Sequence, residues 1–131
     1  MSGSHSHDAI IVGAGPAGST AAIRLATAGW SVALIEQCVF PRRKVCGECI
    51  AAGNLELFDA LGIGTQFDAL AGPELREAGL FHGTTCVTAP LPPLAKSRHA
   101  YGRALGREHL DTLLLERARA VGVDVRQPCK V

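Results

Sequence analysis

The chain has 131 residues, 47% hydrophobic and 19% charged, with 13 basic and 12 acidic side chains and a formal net charge of +1. That is room for about one domain burying roughly two thirds of its unfolded surface, and the near-neutral charge excludes the basic face that a nucleic-acid partner needs. No apolar run reaches the ~20 residues of a membrane span, no charged-then-apolar leader marks a signal peptide, and five scattered cysteines point to reduced thiols in a cytoplasmic setting.

Residues 1–7, rich in Ser and His, read as a flexible polar leader. Ordered chain is expected from residue 8. Residues 8–12 form a short apolar strand that enters a turn with glycines at positions 13, 15 and 18, followed by an alanine-rich helix over 19–28 that closes at Gly29. A second strand over 32–35 ends in Glu36, eighteen positions after Gly18. This strand, glycine turn, helix, strand and acid is the arrangement that binds a dinucleotide. Gly13 permits the tight turn, Gly15 lets backbone amides approach a pyrophosphate, and Gly18 lets the helix pack on the strand. The positive end of the helix dipole then faces the diphosphate, and the Glu36 carboxylate can accept bonds from both hydroxyls of an adenosine ribose.

After Glu36 the spacing predicts a loop over 37–48, a helix over 55–61 stopped by Gly62, and a loop with a short helical piece over 63–77. Residues 79–87 alternate apolar and polar around His82, Gly83 and Thr84, as in a strand or small hairpin. Pro90, Pro92 and Pro93 make 89–93 a surface loop, and 100–105 is an extended piece. Leu110, Leu113, Leu114, Ala118 and Val121 repeat at helical spacing across 106–120, where Gly122 ends the helix before a last strand over 123–126. The fold class is α/β, Rossmann-like and incomplete. Three parallel strands are a poor place for a domain to end, so 8–131 is expected to be the N-terminal part of a two-domain protein.

Phe40-Pro-Arg-Arg-Lys-Val-Cys-Gly-Glu-Cys-Ile50 follows the ribose-side acid, and Arg107, Leu110, Asp111 and Leu114 form a second spaced pattern downstream. With these motifs in this order, the segment from Asp8 to Val131 resembles the FAD-dependent oxidoreductases of the aromatic-hydroxylase superfamily, in its geranylgeranyl-reductase-like and halogenase-like branches. The resemblance implies FAD diphosphate at Gly13, Gly15, Ala17 and Gly18, ribose at Glu36 with Gln37 beside it, and Arg42, Lys44, Cys46, Gly47 and Glu48 along the ribityl chain and flavin. It implies Arg107 near the diphosphate or ribityl region and a backbone contact at Val131. It further implies NAD(P)H as electron donor and a small organic substrate, apolar or aromatic. The family's later Gly-Asp motif and substrate domain are missing from these residues, so the isolated chain is expected to be inactive.

Two alternatives stand beside this reading. Cys46 and Cys49 have the C-x-x-C spacing of a redox dithiol, as in a pyridine-nucleotide disulfide reductase, and the chain could also be a non-catalytic nucleotide-binding fragment. Zinc would need a second ligand pair, and the five histidines have no metal spacing. Asp111 and Glu116 read as solvated helix positions, and Arg42 and Lys44 have a plain reading as loop charges.

Overall fold

A computed structural model describes residues 6–131, so most of the leader expected over 1–7 lies outside the described residues. The elements in chain order are β1 (Ala9–Val12), α1 (Pro16–Thr27), β2 (Val32–Ile35), β3 (Cys49–Ile50), α2 (Ala52–Leu61), α3 (Gly64–Leu70), β4 (Glu74–Leu75), β5 (Glu77–His82), β6 (Thr85–Pro90), β7 (Gly102–Ala104), α4 (Arg107–Ala120) and β8 (Asp124–Arg126). They divide into two compact units, one built from Met1–Cys46 and Arg107–Val131 and the other from Gly47–Gly106.

In the first unit β1, β2 and β8 form a parallel sheet with β2 in the centre. Val32, Ala33 and Leu34 are all buried, as expected of a central parallel strand covered on both faces. α1 and α4 pack together. The core combines Ala22 and Ile23 of α1 with Leu110, Leu114, Leu115 and Ala118 of α4. α1 starts at Pro16, three residues earlier than the composition predicts. Proline is pre-set for the first helical position, and Gly18 therefore lies inside the first turn rather than before it.

The second unit buries Leu55, Phe58, Leu61, Ile63 and Phe67, with the Phe58 and Phe67 rings 5.1 Å apart. α2 ends on Gly62 at φ +81°, the left-handed cap that glycine supplies without strain. Arg103 of β7 closes the end of α3, donating to the carbonyls of Gly72 at 2.7 Å and Ala71 at 2.8 Å and to the Asp68 carboxylate at 2.9 Å. A guanidinium suits the negative end of a helix. β7 pairs antiparallel with both β3 and β4, two-residue strands of which β3 lies just past the predicted 37–48 loop and β4 inside the predicted 63–77 loop. The hairpin of β5 and β6 is longer than the predicted 79–87, and Pro90 pairs opposite Glu77 as the last residue of its strand, where no further ladder donor is needed.

Candidate dinucleotide site

The first unit carries a groove of about 850 Å³ between the β1–α1 turn, the end of β2 with the residues after it, and the last residues of the chain. Gly13, Gly15, Ala17, Gly18, Glu36, Gln37, Arg42, Lys44 and Val131 all line it. Arg43, which falls inside the Phe40 to Ile50 motif, lines it too, as do Cys129 and Lys130, which no sequence motif singles out.

Each glycine of the turn has its own physical reason. Gly13 sits at φ +96°, which an L side chain rarely adopts. At Gly18 a Cβ would fall on the carbonyl oxygen of Gly13 and stand 3.4 Å from Ile11 Cγ2. At Gly15 a Cβ would meet only Arg107 Nη2, at 3.5 Å, an ordinary contact, so packing does not demand a glycine there. The helix beyond starts with no side-chain cap and no acid in its first turn. Its first amides therefore keep their hydrogen-bonding capacity for an anion.

Glu36 is only 4% exposed and is tied at four points. Its carboxylate accepts the amides of Ala14 and Cys38, each at 2.9 Å. Its own amide donates to the Arg126 carbonyl at 3.0 Å, and its carbonyl accepts Cys129 N–H at 2.8 Å. A carboxylate offers about four lone-pair sites, so capacity for two further bonds remains. Burial pushes the Glu36 carboxyl up, but the Cys38 and Ala14 amides and the Arg42 charge together outweigh it and hold the group below its ordinary value.

A carboxyl depressed in the fold contributes stability that is present above its unfolded value and lost as pH falls through the folded one. Thermal melts of the chain should therefore hold steady at neutral pH and fall below about pH 4.3. A Glu36→Gln chain should lack the part of that acid slope due to this group. Identical slopes in the two proteins would contradict the linkage.

Arg42 is not a solvated loop charge. Its side chain is 16% exposed, its guanidinium lies over the Phe40 ring at 4.7 Å, and it sits 3.8 Å from Glu36 Oε2 and 3.4 Å from Asp111 Oδ2. Lys44 is exposed on the groove rim. Arg107 opens α4 and donates to Asp111 through Nε at 2.7 Å and Nη2 at 3.0 Å, with the Cys46 thiol as a further partner. Gly47 and Glu48 belong to the second unit, where Glu48 has φ +57° and its carbonyl accepts Leu105 N–H at 3.1 Å.

Asp111 corrects the sequence reading. It is 1% exposed rather than solvated, because Arg107 four residues earlier and Arg42 from the loop supply its counter-charges. Glu116 is exposed, as expected. Cys46 and Cys49 are both free thiols. Among the described residues no group of His, Cys, Asp or Glu comes together as metal ligands, and no helix is long and apolar enough to cross a membrane.

Known proteins resemble the whole of this span. The chain is 38% identical over 125 residues to a menaquinone reductase of Mycobacterium tuberculosis (strain ATCC 25618 / H37Rv), covering 95% of the chain and 28% of that protein. It is 34% identical over 116 residues to a tryptophan 2-halogenase of Chondromyces crocatus, covering 88% of the chain and 22% of that protein. The myxobacterial chondrochloren halogenase, an FAD-dependent halogenase, superposes with a TM-score of 0.78 at 27% identity over 92% of this chain and 28% of its own. The chain thus spans under a third of the length of these relatives. The family described as FAD binding domain matches residues 6–131, every residue of both units that the structure describes, and the chain belongs to that family.

Proposed function

We propose that the chain is the FAD-binding portion of a flavin-dependent oxidoreductase, a monooxygenase or a reductase, that takes electrons from NADH or NADPH and acts in the cytoplasm on an apolar or aromatic organic substrate. The observation that carries the reading is a groove that brings together Gly15, a glycine that neither packing nor backbone conformation requires, an uncapped helix start and a buried acid. Turn glycines alone would serve any tight loop, whereas a groove-lining glycine whose Cβ would make only an ordinary contact, with an arginine, suits the close approach of a ligand's diphosphate. The names of the menaquinone reductase and the tryptophan 2-halogenase support the substrate class.

In this reading the turn amides and the start of α1 hold the diphosphate, Glu36 and Gln37 take the adenosine ribose, and Arg42 and Lys44 border the ribityl side. Arg107 faces the diphosphate, Cys46 lies beside it, and the Val131 backbone reaches the adenine. FAD, when bound, supplies the redox chemistry. The chain's residues bind and orient it, and the buried Glu36 fixes the turn on which the diphosphate rests.

FAD titration followed by flavin fluorescence tests the reading. Gly15→Ala introduces a Cβ that makes only an ordinary contact with Arg107, so the melting temperature should barely change. The methyl group stands in the path of the diphosphate, and affinity should fall about tenfold, or about 1.4 kcal/mol. FAD affinity equal to that of the parent chain would refute the assignment of the loop.

A further inference from the structure

The three buried polar residues among the described residues are Ser19, Glu36 and Asp111. Ser19 satisfies itself on the Ala14 carbonyl at 3.1 Å, and Glu36 has the two amides described above. Asp111 is different. It stands on the face of α4 that otherwise buries Leu110, Leu114, Leu115 and Ala118, and both of its oxygens are engaged by arginine side chains. An apolar residue here would continue the buried stripe without the desolvation that a carboxylate incurs, and buried ion pairs often add nothing to stability over apolar replacements. The position of the two arginines supplies a reason for the acid.

Arg107 Nη2, bonded to Asp111 Oδ2, is also the atom nearest to where a Gly15 side chain would stand, at 3.5 Å. Arg42 Nη1 faces the same Oδ2, while its Nη2 faces Glu36 Oε2. One carboxylate thus stands between two guanidinium groups, of which one reaches the glycine turn and the other reaches the ribose-side acid. Left to themselves, two like charges facing the same position would repel and sample many rotamers. A two-point fork with a buried carboxylate fixes the plane of Arg107 and offsets that repulsion.

We propose that Asp111 is a positioning residue of the dinucleotide site, acting through Arg107 and Arg42 to set the cationic side of the groove before the diphosphate arrives. The proposal rests on the dinucleotide reading given above. It commits Asp111 to phosphate recognition and not to the adenosine, because the guanidinium it grips most closely borders the glycine turn.

Titrations of the full chain with ADP and with adenosine, followed by NMR, test it. Asp111→Asn should lower ADP affinity about tenfold and leave adenosine nearly unchanged, so the preference for ADP over adenosine collapses. Loss of packing alone would weaken both ligands together and leave that preference intact, which would overturn the proposal. Arg107→Met should show the same collapse, and adding Asp111→Leu to it should cost only the smaller part exerted through Arg42, well short of the product of the two single losses, since residues acting as one unit are not additive. That apolar pair also serves if Asp111→Asn does not fold; a further, additive loss of ADP preference in it would overturn the proposal. Failure of the parent chain to bind ADP at all would remove the dinucleotide reading and the proposal together. Binding by the parent with an unchanged preference in the variants would remove the role of Asp111 alone.

Discussion

Gly18→Ala is expected to destabilise the first unit by about 3 kcal/mol or more, the upper part of the range for overpacking a filled site. The added methyl group would fall on the carbonyl oxygen of Gly13 and stand 3.2 Å from its carbonyl carbon. Both contacts are backbone, so no side-chain rotation relieves them. Relief would require α1 to move away from the turn, yet Ala22 and Ile23 of that helix are buried in the core, and Gly13 N–H is held by the Ile35 carbonyl at 2.7 Å. Gly13→Ala should be milder, about 1–2 kcal/mol for a left-handed backbone with nothing to clash against. Thermal denaturation of the two variants beside Gly15→Ala should rank them 18, 13, 15 in decreasing loss. A Gly18→Ala chain that melts with the parent would mean that the close approach of helix and turn is not a constraint.

The glycine spacing makes these three positions look alike in sequence, and only their surroundings separate a conformational need at Gly13, an ordinary contact at Gly15 and a packing constraint at Gly18. The strand, helix, strand and acid of the first unit are legible because every signal is local: an apolar run, three glycines, alanines and an acid. The start of α1 is misread for a related reason, since a motif written in glycines hides the helical turn that contains the last of them. β3 and β4 carry no signal of their own. They exist because β7 pairs with both, and Gly102 allows it: a Cβ there would fall on the Ile50 carbonyl oxygen. Asp111 was legible as part of a spaced pattern with Arg107 and illegible as a buried charge, because its second counter-ion, Arg42, comes from a loop far earlier in the chain.

Glu36→Ala should lower both stability and ligand affinity, and the two losses have different origins. Removing the carboxylate strands the amides of Ala14 and Cys38, which it accepts at 2.9 Å each, and takes one of two acidic neighbours from Arg42. Unpaired buried donors and a lost charge partner together amount to about 3 kcal/mol. Glu36→Gln keeps one acceptor oxygen and should lose roughly half of that. The ligand effect is separable by comparing ADP with inorganic pyrophosphate at a temperature where every variant is folded. If Glu36 receives the ribose hydroxyls, charge-assisted bonds are lost, and ADP should weaken roughly ten- to a hundredfold in Glu36→Gln. Pyrophosphate, which has no ribose, should change much less. Equal weakening of both ligands would mean that Glu36 serves the site only by holding the glycine turn through Ala14. Unchanged ADP affinity would remove it from ligand recognition altogether.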